Sequence, residues 1–457
     1  MNNKTKLKLS MINLWCNKNL VDSQLFLWKL LSENSDKVEY YTDPYDNNVE
    51  IVLLNTCWFI SSWREEMFQN IETLLSNNKK ICLIWCGVQY FEKVLKKNQN
   101  ITIDANTNQE LTKRNNILSN ENIWYLSRND LTFANIQSLF SRSKNFDDFC
   151  RYSSPRLLTN YENHYEYLKI AEWCNNSCAF CIIPKIRWKL TSLPIKSVIN
   201  EAENLLKQWI KELIILAQDT MRYWTDFSSK SQLLPLLHEL DKLPYDFKYR
   251  VLYLYPDILT LKQLQDFSTL DKFIPYFDIP LQHISPKLLK SMWRFYDDKM
   301  IHSLLKSIRK LFSKSFIRTN IIVWFPWETE ADMKLLEDFL NEDYFDNIAL
   351  FEYHDEPLAL SSTFKNKVHY SIIKKRFNII KKQVNKLLSN RNKNRKNQKE
   401  IWYIESITQN TNWISLSIRP EINCPEIDPI DKVKLENIVQ IFNADEITIW
   451  SKVEYIV

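Results

Sequence analysis

A single glycine in 457 residues is the tightest constraint on what this chain can fold into. Strand–turn–helix folds place glycine wherever the backbone enters the left-handed region or passes close to a neighbour, because any other residue meets a Cβ clash there. A usual frequency near 7% would give about thirty. Tryptophan is correspondingly abundant, at 16, and it stands where turns are expected. Trp15, Trp85 and Trp173 each directly precede a cysteine, and Trp324 and Trp327 flank Phe325-Pro326. An indole beside a cysteine has no evident chemical use and crowds it. The pattern predicts that many of these codons are UGA, written as tryptophan and read as glycine by the cell.

The hydropathy pattern needs those turns. Strand signals at Leu9–Leu14, Val49–Leu54 and Ile81–Ile84 alternate with helical periodicity over Leu20–Leu31 and Arg64–Leu75 and on to Lys96. That alternation predicts a doubly wound α/β domain with a parallel sheet. Residues 105–157 are polar and irregular. Strands then follow at Tyr167–Ala171, Glu212–Ala217, Tyr249–Tyr255, Tyr276–Leu281, Ile317–Val323 and Ile348–Tyr353. Helical stretches separate them at Lys196–Lys207, Leu233–Leu240, Leu259–Phe267, Met300–Leu311 and Glu330–Leu340. Six β/α units predict a partial (β/α)6 barrel whose chemistry lies at the carboxyl ends of its strands. The last sixty or so residues alternate apolar and polar in the manner of a small all-β, OB-like barrel, with strands at Ile401–Ser406, Trp413–Ile418, Val433–Ile438 and Glu446–Ile449. The expected bounds are 5–120, 160–390 and 393–457.

Six of the nine cysteines carry the chemistry. Cys174, Cys178 and Cys181 form a C-x3-C-x2-C cluster just after the first strand of the central domain. Cys16, Cys57 and Cys86 each follow a strand of the first domain, so a parallel sheet can bring them to one rim. Three thiolates can hold three corners of a four-iron cluster and leave one iron for another ligand. Zinc would want a fourth ligand, and no His or Cys follows Cys181 at the usual spacing. Cys82, Cys150 and Cys424 read as small core residues. At a barrel mouth, an open iron can chelate S-adenosylmethionine (SAM), whose reductive cleavage gives a radical able to attack unactivated C–H bonds. Gln218 and Arg250, near strand ends, are candidates to hold SAM; polar capping explains them equally well.

No apolar stretch is long enough for a membrane span, and the N-terminus lacks a secretory h-region. The reading is a cytoplasmic protein with reduced thiols. Charge is segregated: residues 365–399 carry 13 Lys or Arg and no acid, and 400–457 carry 10 acidic against 4 basic residues. The first stretch reads as a solvated basic linker or an RNA contact.

Several runs resemble one family. Glu172-Trp173-Cys174-Asn175-Asn176-Ser177-Cys178-Ala179-Phe180-Cys181-Ile182-Ile183-Pro184 is similar to the signature of the radical-SAM methylthiotransferases, with Trp173 in a glycine's place. Leu14-Trp15-Cys16-Asn17-Lys18, Asn55-Thr56-Cys57-Trp58 and Trp85-Cys86 resemble that family's N-terminal ligand motifs. Leu216-Ala217-Gln218-Asp219-Thr220, Ile279-Pro280-Leu281-Gln282-His283 and Val323-Trp324-Phe325-Pro326-Trp327-Glu328-Thr329-Glu330 match its core strands. Leu193 departs from the family, which usually has an arginine after Ser192.

The resemblance implies a SAM-cleaving 4Fe-4S cluster on Cys174, Cys178 and Cys181. It also implies a second, sulfur-carrying 4Fe-4S cluster on Cys16, Cys57 and Cys86, and a C-terminal TRAM module. Cys16–Gln24 and Cys424-Pro425-Glu426-Ile427-Asp428 look like the branch that methylthiolates an aspartate of small-subunit ribosomal protein twelve. An acidic terminal domain would attract a basic ribosomal protein. An electron donor and a sulfur carrier are further implied partners. The alternatives are methylthiolation of tRNA adenosine and a non-catalytic iron–sulfur redox sensor.

Overall fold

The computed structural model describes residues 6–14, 16–56, 61–88, 117–118, 120–126, 156–159, 163–186, 189–356, 358–394, 399–409, 413–442 and 451–456. The chain divides into two compact units, one of Met1–Thr159 with Ile182–Trp188 and one of Asn160–Cys181 with Lys189–Val457. Cys57, Cys150, the expected strand at 446–449 and most of the irregular stretch 105–157 lie outside the described residues.

The first unit holds a five-stranded parallel sheet of order β2-β1-β3-β4-β5. Its strands are β1 (Leu7–Asn13), β2 (Val38–Tyr40), β3 (Ile51–Thr56), β4 (Lys80–Trp85) and β5 (Ile123–Leu126), with α1 (Asn17–Glu33) and α2 (Ser61–Ser76) between them. Every residue of β3 is buried, and its unbroken apolar run suits a central strand covered on both faces. β2 and β5 are too short to show a period and went unread in the sequence.

The second unit contains a six-stranded parallel sheet of order β13-β12-β11-β10-β9-β6. Its strands are β6 (Tyr165–Lys169), β9 (Glu212–Leu216), β10 (Lys248–Val251), β11 (Phe273–Asp278), β12 (Phe316–Val323) and β13 (Asn347–Glu352). A small ladder of β7 (Ala171–Glu172) and β8 (Thr191–Ser192) follows β6. Helices α3 (Ile195–Leu206), α4 (Leu233–Asp241), α5 (Leu261–Phe267), α6 (Pro286–Ser291), α7 (Asp298–Leu311) and α8 (Glu330–Leu340) alternate with the strands. Thr260 opens α5 and Thr329 opens α8 with reciprocal capping boxes, which satisfy the first unpaired N–H groups of each helix. The strand expected over Tyr249–Tyr255 stops at Val251, because Tyr253 turns to φ 60°.

The basic stretch is largely helix, α9 (Tyr370–Asn394), rather than linker. Beyond it lies a five-stranded antiparallel sheet of order β16-β15-β14-β18-β17. It is built from β14 (Lys399–Gln409), β15 (Ile414–Pro420), β16 (Asp431–Lys434), β17 (Ile438–Phe442) and β18 (Lys452–Ile456). Trp402, Ile404, Leu416, Ile418, Val433 and Val453 form its core. The expected strand Val433–Ile438 is broken by a 3-10 turn at Leu435–Asn437.

The backbone bears directly on the missing glycines. Of the twelve described non-glycine residues with positive φ, six are tryptophans: Trp173, Trp209, Trp224, Trp293, Trp324 and Trp327, with φ between 59° and 74°. A bulky residue is an outlier there. The one glycine, Gly87, donates its N–H to Thr56 Oγ1, and a Cβ in its place would sit 2.6 Å from that oxygen.

Candidate iron–sulfur sites

In the first unit, β1, β3 and β4 are adjacent and parallel, so their carboxyl ends share one rim. Cys16 follows β1 as the N-cap of α1, and Cys86 follows β4 directly. Thr56, which immediately precedes Cys57, ends β3 between them. A polar network ties the three ends together. Asn55 Nδ2 donates to Asn13 Oδ1, the Asn19 carbonyl and Ser23 Oγ at 3.0, 3.1 and 2.8 Å. Thr56 Oγ1 donates to the Ile84 carbonyl at 2.6 Å. Asn19, in the first turn of α1, donates to the Thr56 carbonyl at 3.2 Å and lies 3.7 Å from Cys86 Sγ. Asn19, Asn55 and Thr56 escaped the sequence reading, although the last two sit inside the motif around Cys57.

In the second unit the cysteine loop leaves β7 through Trp173, at φ 70°. Lys169 and Glu172, both buried, pair at 2.6 Å beneath it. The Asn176 N–H donates to Cys174 Sγ at 3.4 Å, and the Cys181 N–H returns to the Cys178 carbonyl at 3.0 Å. Between these cysteines Ala179 packs against Leu288, Met292 and Phe325, and its N–H donates to the Met292 carbonyl at 3.0 Å. The loop is thus pinned from inside while its three thiols, none in a disulfide, stay half-buried.

Charged groups crowd the same loop. Asp219 accepts from Asn176 Nδ2 at 2.6 Å and pairs with Arg222 at 3.1 Å; Arg222 pairs in turn with Asp257 at 2.5 Å. Burial pushes the Asp219 carboxyl up to about 6, against the pull of Asn176 and Arg222. Burial, reinforced by Asp219, pushes the Cys174 thiol up to about 12, so metal binding there displaces a proton. Arg294 Nη1 donates to Cys178 Sγ at 3.4 Å. Gln218 Oε1 and Asp219 Oδ1 are buried with no hydrogen-bond partner, which marks groups awaiting a ligand. Asn176 stands inside the cysteine motif yet was not singled out from sequence; Asp219, Arg222 and Arg294 were missed because their relation to the cysteines is purely spatial.

The donor set suits an iron–sulfur cluster: three thiols on one turn, an N–H aimed at a sulfur, and open acceptors at the next strand end. Among the described residues no three His, Cys, Asp or Glu side chains close around a single ion; a four-iron cluster is the larger body.

Arg250 is a correction. Its Nε donates to Glu212 Oε1 at 2.6 Å, Nη1 to the Ile422 carbonyl at 2.8 Å and Nη2 to the Glu421 carbonyl at 2.9 Å. Fully buried, it docks the C-terminal sheet instead of facing the cysteines. Cys82 and Cys424 are core thiols as expected, and burial holds both far above the ordinary thiol range.

Residues 168–340 match the Radical SAM superfamily, and residues 8–105 match the Uncharacterized protein family UPF0004. The chain is 35% identical over 404 residues to the ribosomal protein uS12 methylthiotransferase RimO of Clostridium novyi (strain NT), covering 85% of this chain and 84% of that protein. To the RimO of Chlamydia pneumoniae it is 32% identical over 460 residues, covering 96% and 90%. Among solved structures, the cobalamin-dependent SAM radical enzyme OxsB matches at a TM-score of 0.52 with 12% identity, covering 83% of this chain and 56% of that one. The radical SAM methyltransferase TsrM from Kitasatospora setae matches at 0.50 and 12%, covering 76% and 75%. These two likenesses concern the fold alone.

Proposed function

The chain belongs to the family of ribosomal protein uS12 methylthiotransferases, radical SAM enzymes that use SAM and two 4Fe-4S clusters, and from that premise we propose how its residues divide the work. Cys174, Cys178 and Cys181 hold the SAM-cleaving cluster, and Cys16, Cys57 and Cys86 hold the auxiliary one. When bound, the first would supply the electron that cleaves the SAM sulfonium to a hydrogen-abstracting radical, and the second would supply the sulfur. The substrate is an aspartate of uS12, methylthiolated at its β-carbon. An electron donor, a sulfur carrier and a cytoplasmic site of action accompany that substrate. No helix among the described residues is long and apolar enough to cross a membrane.

The chain's own residues prepare the second site. Asn176 and Arg222 hold Asp219 by its Oδ2, which leaves Oδ1, like Gln218 Oε1, an unengaged buried acceptor just past the end of β9. Both suit the ammonium of the methionyl moiety of SAM, a donor that needs buried acceptors. The six-stranded sheet is read as a partial barrel within a 160–390 core, with 5–120 as the auxiliary-cluster domain. The C-terminal sheet is read as a TRAM-like module over 393–457. Lys374, Lys375, Lys381, Lys382 and Lys386 are exposed on α9; their spacings of 4, 7 and 11 gather them on one side, suited to RNA phosphates of the ribosomal subunit.

The single observation that carries the assignment is the C-x3-C-x2-C turn with its thiols half-buried, one sulfur already hydrogen-bonded by an arginine. Anaerobically reconstituted protein, given SAM and dithionite, is expected to release 5′-deoxyadenosine and to add one methylthio group to uS12. A mass gain on tRNA alone would move the assignment to the tRNA enzymes, and no 5′-deoxyadenosine would leave only a redox sensor.

A further inference from the structure

Arg294 is fully engaged before any cluster binds. It follows α6, whose end is a Schellman turn: the Trp293 N–H donates to the Lys290 carbonyl at 3.1 Å and the Arg294 N–H to the Leu289 carbonyl at 2.8 Å. Trp293 takes the left-handed position of that turn, at φ 59°. The turn points Arg294 inward, where it is 5% exposed. Its Nε donates to Tyr296 Oη at 2.9 Å and its Nη2 to the Pro280 carbonyl. The Tyr255 ring lies against the guanidinium plane, 4.1 Å from centroid to Cζ, and Tyr296 is itself fixed by donating to the Leu281 carbonyl at 2.7 Å. Two nitrogens and one face are therefore spent on holding the group. The third nitrogen, Nη1, is left aimed at Cys178 Sγ.

We propose that Arg294 is a positioning residue for the iron–sulfur cluster at Cys174, Cys178 and Cys181: its clamped guanidinium donates to the Cys178 sulfur and eases the cluster's uptake of an electron. The idea rests on the assignment of those three cysteines as ligands. A hydrogen bond and a permanent positive charge at a ligand sulfur stabilise the more negative, reduced cluster, and so raise its reduction potential. Arginine suits the task because it keeps its charge at every accessible pH. Burial strengthens the effect, since little water intervenes to screen it.

The test uses the full chain with Cys16, Cys57 and Cys86 changed to alanine, so that one cluster remains. Protein grown with 15N-arginine is reconstituted, reduced with dithionite and examined by pulsed EPR; a 15N coupling to the reduced cluster is expected. In an EPR-monitored redox titration, Arg294→Gln is expected to lower the reduced-to-oxidised ratio at fixed potential about tenfold, which for a one-electron couple is about 59 mV. Arg294→Lys, which keeps the charge, is expected to recover part of that shift. A loaded cluster without the 15N coupling overturns the proposal, whether or not the variants take up iron. A cluster whose ratio is unchanged in Arg294→Gln also overturns it. If the protein with Arg294 intact loads no iron, the ligand assignment itself has failed.

Discussion

Arg419 Nη2 donates to Glu212 Oε2 at 3.0 Å, with both side chains buried. Glu212 opens β9, and its other oxygen takes Arg250 Nε at 2.6 Å. One carboxylate thus binds two guanidiniums, one from each of the sheets of the second unit. The segment after β15 completes the joint: Tyr165 and Tyr167 both donate to Glu426, at 2.8 and 2.7 Å, and Asn347 Nδ2 donates to Asp428 Oδ1 at 2.5 Å. The Cys424–Asp428 run, which had pointed to the ribosomal-protein branch, is here a plug against the amino-terminal edge of the parallel strands.

Glu212→Ala leaves two buried guanidiniums short of an acceptor. Removing one partner of a buried pair costs about 3–5 kcal/mol, and urea denaturation is expected to show a loss of that size. Glu212→Gln, which keeps one acceptor oxygen, is expected to lose less. An unchanged urea midpoint for Glu212→Ala would show that the joint contributes nothing.

The proposed division of the two cysteine trios is testable by activity. Cys178→Ala is expected to abolish 5′-deoxyadenosine formation, while Cys57→Ala keeps part of it and loses methylthio transfer. Product analysis by chromatography and mass spectrometry reads both. SAM cleavage surviving in Cys178→Ala, or both activities surviving in Cys57→Ala, would remove that residue from its ligand set.

Trp209 and Trp293 are exposed, 78% and 43%, and both hold positive φ. Little packing is lost by trimming them, so the backbone term decides. Left-handed geometry costs a non-glycine residue about 1–2 kcal/mol. Trp209→Gly and Trp293→Gly are each expected to stabilise by about 1 kcal/mol in denaturant titrations, whereas Trp209→Ala is not. The gene is expected to carry UGA at 173, 209, 224, 293, 324 and 327, and the protein from its own cells to carry glycine there by peptide mass spectrometry. UGG codons would refute this.

Glu328 gives a pH dependence. Burial pushes its carboxyl up to about 8, although the Trp324 N–H, 2.6 Å away, and Arg376 pull it back. The folded state therefore holds a proton that the unfolded state releases near the ordinary carboxylate value. Stability from this group is full below that value, declines as pH rises and is gone above about 8. Glu328→Gln is expected to flatten that decline in melting temperatures taken from pH 5 to 8. An equally steep decline in the variant would assign it to other groups.

The sequence legibly places the strands and helices around both cysteine trios. α8 is found at its predicted bounds, Glu330–Leu340, because a capping threonine and a regular apolar face are local properties. Charge was less legible. The acidic C-terminal segment reads as a surface for a basic partner; four of its ten acids are engaged within the protein, Glu405 on Arg419, Glu421 on Tyr403, Glu426 on Tyr165 and Tyr167, and Asp428 on Asn347. Composition counts charges without showing which ones meet water.

By itself the sequence determined the parallel α/β plan, the two sets of thiols and the shortage of turn residues, all written in periodicity, spacing and residue type. Tertiary structure alone decided that Arg250 is a docking residue, that Arg294 meets Cys178 across 116 positions, and which tryptophans occupy left-handed turns. Those facts depend on distances between residues far apart in the chain and on backbone angles set by packing, which no local pattern encodes.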